Sequence, residues 1–182
     1  MELRELNEKE LGEVLGVHMH RDFPAEELRP EWTFRNMLES GACRFYGLFR
    51  GESLAAYADI VRGPGSDLLD FFAVMPELRG TGVGTAALRA LTAVSGELIL
   101  EVEAPGAAHD GETELLRRRR IEFYKRSGAV ETGVSGSALG VEFLILHMGG
   151  RREFTRLGDE LREIYRTLYP GLDVEKEITY GR

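Results

Sequence analysis

The chain has 182 residues, a formal net charge of −8 from 31 acidic against 23 basic side chains, and 43% hydrophobic residues. That length and apolar content fit one domain with a full core, and the negative field disfavours nucleic acid and anionic membranes, leaving neutral or cationic partners. No stretch has the length of a membrane span, Met1-Glu2-Leu3-Arg4-Glu5-Leu6 carries no secretory apolar run, and the lone Cys43 sits in an apolar stretch without a disulfide partner, which together predict a buried thiol in a reducing cytoplasm.

In chain order, residues 2–6 alternate charge with leucine and predict a short strand. Asn7 followed by Glu10 supplies a capping box that opens a helix to about residue 21. Pro24 and Pro30 bracket a loop, and residues 32–39 form a second helix ended by Gly41. Cys43–Arg50 and Ser53–Val61, joined by Gly51-Glu52, read as a hairpin, after which a turn at 62–66 leads into a strand over 67–75. A helix over 86–95, a strand over 97–103, a loop over 104–111 and a helix over 112–127 follow. Residues 129–133 and Val141–Met148 are the last predicted strands. From residue 151, Phe154, Leu157, Leu161, Ile164, Tyr165 and Leu168 recur at helical spacing, an amphipathic helix that packs on its own domain or pairs two copies as a homodimer. The order is β-α-α-β-β-β-α-β-α-β-β plus this helix.

Between the strand at 67–75 and the helix at 86–95 lies Leu78-Arg79-Gly80-Thr81-Gly82-Val83-Gly84-Thr85. Glycines here let successive backbone N–H groups approach a phosphate, and the helix that follows points its positive dipole end at the same place. Arg79 adds a permanent cation. A P-loop would need Lys-Ser/Thr after the glycines, and none is present. Gly82-Val83-Gly84-Thr85-Ala86-Ala87 does match the dinucleotide pattern G-x-G-x-x-A, with Glu101 or Glu103 near the ribose-binding offset. Six residues intervene between strand and glycines, however, where a dinucleotide loop turns directly off its strand.

Met75-Pro76-Glu77-Leu78-Arg79-Gly80-Thr81-Gly82-Val83-Gly84 resembles the acyl-CoA loop of the GNAT N-acetyltransferase superfamily, whose Arg/Gln-x-x-Gly-x-Gly/Ala pattern is filled by Arg79, Gly82 and Gly84. Ile121-Glu122-Phe123-Tyr124-Lys125-Arg126-Ser127-Gly128 resembles the same superfamily's helix that carries Phe-Tyr and ends at Gly. Without the family, Gly128 reads as a helix cap and Tyr124 as a core tyrosine with its hydroxyl at the rim. The resemblance covers about residues 1–149 and implies an α+β fold: a mixed, mostly antiparallel central sheet flanked by helices, its central strands splayed, here with an added C-terminal amphipathic helix over about 150–182, all as one domain. It also implies acetyl-CoA as co-substrate, no metal, and direct acetyl transfer to a primary amine of a small molecule or peptide.

By that resemblance, residues Arg79, Gly80, Thr81, Gly82, Val83, Gly84 and Thr85 hold the pyrophosphate. Phe72, Ala73 and Val74 offer their main chain to the pantetheine arm, the N–H of Val74 polarising the thioester carbonyl, an effect of about 3 kcal/mol where such donors have been removed elsewhere. Tyr124 is implied as the general acid, since a phenol stays protonated at neutral pH. Glu101 and Glu103 alternate along one strand and share a face, so either carboxylate is a candidate base acting through water; Asp70 in an apolar strand and His109-Asp110 in a loop are further candidates. Arg117 stands where the resemblance leads one to expect Asn, several residues before the tyrosine, and Arg120 where it leads one to expect a small residue, four before it. The run Arg117-Arg118-Arg119-Arg120 reads as solvated and paired with Glu112, Glu114 and Glu122. His18 and His20, two apart on a helix, read as surface histidines rather than a metal pair. Two other classes stay open: a non-catalytic acyl-CoA-binding module and a nicotinamide-dependent oxidoreductase.

Overall fold

The computed structural model describes residues 1–151 and 153–181; Arg152 and Arg182, which the extension expected over 150–182 includes, lie outside the described residues. Eight strands form one sheet in the order β1-β2-β3-β4-β5-β7-β6-β8, with β1 at Glu2–Glu5, β2 at Cys43–Arg50, β3 at Ser53–Val61, β4 at Asp67–Val74, β5 at Leu98–Glu103, β6 at Val130–Ala138, β7 at Val141–Met148 and β8 at Ile178–Gly181. Helices α1 (Glu8–Glu13), α2 (Met19–Asp22), α3 (Glu31–Glu39), α4 (Val83–Ser95), α5 (Gly111–Ser127), α6 (Leu157–Leu168) and α7 (Val174–Glu177) flank it. This is the mixed, mostly antiparallel arrangement expected. The backbone groups into two compact units, Met1–Val61 with Asp70–Ala87 and Arg62–Leu69 with Leu88–Arg182.

In the first unit, α1 starts where the capping box predicts: the Asn7 side chain accepts from the Glu10 N–H at 3.0 Å and Glu10 accepts in return from the Asn7 N–H at 3.0 Å. The helix runs through a wider π-helical stretch, Val14–His18, into α2. His18 is not a surface histidine. Its side chain is 11% exposed and its ring lies 6.2 Å from that of Tyr57 at 27°, because the helix turns that residue inward onto β3. The hairpin β2–β3 closes at Arg50↔Ser53 as the Gly51-Glu52 pair requires. Cys43 is buried, and burial with the nearby Asp59 pushes its thiol well above the ordinary range.

Asp59 on β3 is fully buried beside Arg29 at 3.7 Å, and burial together with the charge of Asp70 raises its carboxyl well above the ordinary value. Arg29 also pairs with Asp70 on β4, between the rings of Phe34 and Phe71 at 4.8 and 5.3 Å. The unusual carboxylate of Asp70 is therefore one end of a buried ion pair.

In the second unit, β5 pairs in parallel with the start of β4 at Asp67↔Leu98 and Leu68↔Ile99, and those two pairs are the whole of that ladder among the described residues. β7 then pairs with β5 along its full length, from Leu98↔Met148 to Glu103↔Phe143. α5 is capped by Asp110, whose carboxylate accepts from the Thr113 N–H at 2.8 Å and is held below its ordinary pKa by that bond, and ends at Gly128 in the left-handed region. Asp110 thus caps a helix rather than lying in an open loop. β6 extends beyond the expected 129–133 because pairing with β7 from Ser135↔Leu144 to Ala138↔Val141 overrides its Gly/Ser-rich composition. The apolar stripe of α6 is buried within this unit: Leu157, Leu161, Ile164, Tyr165 and Leu168 are each at most 6% exposed.

A buried polar cluster fastens α6. His147 Nε2 lies 3.1 Å from Ser66 Oγ, Arg151 donates to that hydroxyl at 3.2 Å, and Arg151 grips both oxygens of Glu160 at 2.7 and 2.8 Å. Burial lowers the His147 pKa below 6.5 against the opposing pull of Glu97. The folded chain therefore resists protonation there while the unfolded chain accepts it, so stability falls as pH drops below 6.5 toward the depressed folded value. Each pH unit in that window costs at most about 1.4 kcal/mol, or about 3–5 °C in Tm for a chain of this size. Melting curves between pH 7.5 and 5.5 should show a smaller acid slope for His147→Gln than for the wild type.

Candidate active site

The glycine loop is seated from below. Val83 and Ala87, one turn apart on α4, bury against Leu48 of β2 and Ala55 and Ala56 of β3, with Leu3, Phe72, Val74 and Leu78 partly buried around them. Phe72 and Val74 face this cluster, and strand alternation turns Ala73 to the other side. The Met75 N–H donates to Ala55 O at 3.0 Å and ties the end of β4 to β3. A short 3-10 turn, Pro76–Leu78, then reverses the chain.

Above that seat, Gly80 and Gly82 hold φ of +77° and +86°, the left-handed region that favours glycine, and a Cβ built on either meets nothing within 4 Å. The space over the loop is open. The helix begins at Val83, three residues earlier than its apolar pattern predicts, with its first bond from the Ala86 N–H to Gly82 O at 3.1 Å. The N–H groups of Val83 and Gly84 lie in a first helical turn, where no intrahelical acceptor exists, and the helix dipole adds positive potential at that end. Backbone donors, positive potential and room where side chains are missing fit a phosphate or pyrophosphate.

Arg79 is committed on one side. Its Nε donates to Val74 O at 3.1 Å and its Nη2 to Asp22 Oδ1 at 2.8 Å, while the side chain stays 56% exposed. Asp22, 3% exposed, also takes bonds from Arg21 at 2.7 Å and from the Tyr57 hydroxyl at 2.9 Å. Burial alone would raise the Asp22 carboxyl, but the bonds from Arg21 and Tyr57 win and hold it below its ordinary value. Because Asp22 already offsets part of its charge, Arg79→Ala should weaken binding of the acetyl-CoA that the sequence resemblance implies only about 3–10-fold, as expected for one exposed charge contact. Titration calorimetry at two salt concentrations checks this; a loss larger than that of a blocked glycine loop would make the side chain the main anchor.

In the second unit, Tyr124 lies in the last turns of α5, its ring 5.2 Å from that of Phe123, and among the described residues its hydroxyl has no hydrogen-bond partner. Burial raises its phenol pKa above 10, opposed by the charge of Arg120. Glu101 and Glu103 lie two apart on β5. Arg117 donates to Glu103 at 2.5 Å and to Ala104 O at 3.0 Å, and Arg120 reaches Glu103 at 3.4 Å. The arginine run is thus not uniformly solvated: Arg118 pairs with Glu114 as helical spacing requires, but the Arg117 side chain is 13% exposed and belongs to Glu103. Glu101 instead accepts from the hydroxyls of Tyr165 and Tyr180.

Residues 11–129 match the acetyltransferase (GNAT) family. The chain belongs to that family. Among curated proteins none matches the sequence. Solved structures share the fold of this GNAT chain: a GNAT-family protein from Bacteroides thetaiotaomicron at 17% identity and TM-score 0.77, covering 93% of this chain and 98% of that one. A ribosomal-protein-alanine N-acetyltransferase from Brucella melitensis follows at 19% identity and TM-score 0.56, covering 82% and 100%. An aminoglycoside 6'-N-acetyltransferase complexed with coenzyme A aligns at 14% identity and TM-score 0.60, covering 84% and 100%.

Sequence reasoning missed Asp22, Tyr57, Tyr165 and Tyr180. Asp22 meets Tyr57 within the first unit, and Tyr165 and Tyr180 meet Glu101 within the second; each pairing joins residues far apart in the chain and carries no spacing signal. Among the described residues no helix is long and apolar enough to cross a membrane, and no group of three or more His, Cys, Asp or Glu is placed to hold a metal ion.

Proposed function

We propose that this GNAT chain is an N-acetyltransferase that moves the acetyl group of acetyl-CoA directly to a primary amine of a small molecule or peptide in the cytoplasm. The observation that carries the reading is the glycine loop running straight into α4, with Gly80 and Gly82 in left-handed conformations under open space. The family match supports acetyl transfer. The names of the structural neighbours, a ribosomal-protein-alanine N-acetyltransferase and an aminoglycoside N-acetyltransferase complexed with coenzyme A, support an amine acceptor and a CoA thioester. Acetyl-CoA supplies an acyl group already activated as a thioester.

Within this reading the chain's own groups divide the work. The N–H groups of the loop and of the first turn of α4 hold the phosphates, assisted by Arg79. The main chain of Phe72, Ala73 and Val74 orients the pantetheine arm, and the N–H of Val74 polarises the carbonyl. Tyr124 is proposed to hold a proton at its hydroxyl for the departing thiolate, and burial keeps that phenol protonated. Glu103, which accepts from Arg117 and Arg120, and Glu101, which accepts from two phenols, are the carboxylates proposed as base, one of them taking the amine's proton through water.

The test is a panel of amines with acetyl-CoA, following free thiol release, beside binding measurements with CoA and with NAD(H). Thiol release with at least one amine and affinity for CoA over NAD(H) are the expected results. Affinity for NAD(H) without affinity for CoA would turn the glycine loop into a dinucleotide site, and CoA binding with no release for any amine would leave a binding module.

A further inference from the structure

Asp22 closes α2 with a carboxylate whose acceptor positions are all taken, and every group that takes them lies in the first unit together with the glycine loop. Oδ1 accepts from Arg79 Nη2 at 2.8 Å and from Arg21 Nε at 3.2 Å, and Oδ2 accepts from Arg21 Nη2 at 2.7 Å and from the Tyr57 hydroxyl at 2.9 Å. An ionised carboxylate offers about four lone-pair sites on its two oxygens, so Asp22 has none left for a ligand or for a proton in transfer. Its side chain is 3% exposed. A group closed to solvent and ligand in this way acts through the groups it holds.

The register of the helix brings Asp22 to this place. The π-helical stretch Val14–His18 takes more residues per turn than an α-helix, and so rotates the face that α2 presents. His18, at the end of that stretch, stacks on the Tyr57 ring at 6.2 Å and 27°, and Asp22, four residues on and on the same helical face, meets the hydroxyl of the same tyrosine. Tyr57, 1% exposed on β3, is thereby held at its ring and at its tip. It gives the carboxylate a fixed point on the sheet.

Arg79 is fixed in turn at two points, by Nε on Val74 O at the end of β4 and by Nη2 on Asp22 Oδ1. A guanidinium carries five N–H donors in one rigid plane, so these two bonds set the plane and leave three donors without a partner among the described residues, on a side chain that is 56% exposed. An unattached arginine would lose its rotamer freedom only when an anion arrives, whereas here that loss is already taken in the fold. We propose that Asp22 is a positioning residue: anchored by Tyr57 and Arg21, it orients the Arg79 guanidinium at the entry to the glycine loop, so that a phosphate-bearing ligand meets a cation already in place. This rests on the acetyl-CoA reading of that loop, and it gives Asp22 no proton to move and no contact with the ligand.

A double-mutant cycle tests the role. Acetyl-CoA affinity of the full chain is measured by titration calorimetry for the wild type, Asp22→Asn, Arg79→Ala and the double variant in about 0.5 M NaCl, where screening removes most of the long-range effect of the charge that Asp22→Asn deletes. Asp22→Asn should weaken binding about threefold, as expected when the ligand must order a side chain that the fold no longer orders, and should add nothing in the Arg79→Ala background. The same factor should appear in the KM for acetyl-CoA rather than in kcat. Arg79→Lys keeps the charge but cannot span Val74 O and Asp22 with one planar group, so its affinity should stay closer to that of Arg79→Ala than to that of the wild type. Melting curves show whether each variant is folded; if Asp22→Asn is not, Tyr57→Phe removes one bond from Asp22, keeps the ring on His18, and should give a smaller loss that likewise vanishes in Arg79→Ala. Equal losses in both backgrounds, no loss in either, or full affinity in Arg79→Lys overturns the positioning role and leaves the acetyltransferase reading standing. The same coupling measured with NADH, in a chain without affinity for acetyl-CoA, keeps the positioning role and overturns the acetyltransferase reading, and no affinity for either ligand overturns both.

Discussion

Gly82→Asp should abolish measurable acetyl-CoA binding, a loss of at least about 100-fold, while the protein stays folded. Two effects add. The side chain enters the space over the loop that is open in this structure, where phosphate oxygens would lie, and its negative charge repels them at short range. The fold bears a limited cost, because residue 82 sits at φ +86° and an L side chain there is strained by about 1–2 kcal/mol. For a chain of this length that is a fall of about 2–8 °C in Tm. Gly82→Ala separates the effects: it carries the same strain without the charge, so it should match the Tm loss and keep more affinity. Thermal stabilisation by acetyl-CoA reads both quantities in one measurement, and unchanged stabilisation in folded Gly82→Asp would mean that the loop is not the phosphate cradle.

Tyr124→Phe should lower turnover by about 10²–10⁴-fold, the usual contribution of a positioned acid, with acetyl-CoA affinity almost unchanged. The substitution keeps the ring and its 5.2 Å neighbour Phe123 and removes only the hydroxyl. An interaction made chiefly in the transition state shows in kcat rather than in binding. The sign of the pH effect is fixed by burial. The folded phenol pKa lies above 10, the acid is present below it, and activity is lost as pH rises through it, so the alkaline limb of the wild-type profile should lie beyond pH 10 and be missing from the variant. Full activity in Tyr124→Phe with an unaltered profile would return this tyrosine to packing alone.

Much of this was legible in the sequence because it is local. The capping box at Asn7 and Glu10, the tight hairpin at Gly51-Glu52 and the glycine loop before α4 are each written within a few consecutive residues, and each forms where the chain says. The helical stripe of α6 is local too, so its existence was readable. What covers that stripe was not. The strand β8 is four residues long, too short for alternation to register, and it forms because β6 offers an unpaired side. The partners of Glu101 and Glu103 were hidden for the same reason. Alternation along β5 puts the two carboxylates on one face, but whether a phenol or a guanidinium meets each is decided by α5, α6 and β8, whose side chains reach β5 only after the second unit has packed. Arg117 shows the limit of composition: within a run of four arginines it looks solvent-bound, yet its place on α5 turns it onto Glu103.

The four residues of β8 also settle how this sheet ends. A bare strand offers a row of unpaired N–H and C=O groups, a template on which another chain can zip, and β6, rich in Gly and Ser, would be such a strand from Ser135 to Ala138. β8 occupies those positions from Ser135↔Gly181 to Ala138↔Ile178. A chain cut after Met148, which keeps the whole family match, would uncover that row together with the apolar surface beneath α6. Self-association through an exposed border and loss of the phenols on Glu101 would then arrive together, because one cut removes both α6, which carries Tyr165, and β8, which carries Tyr180.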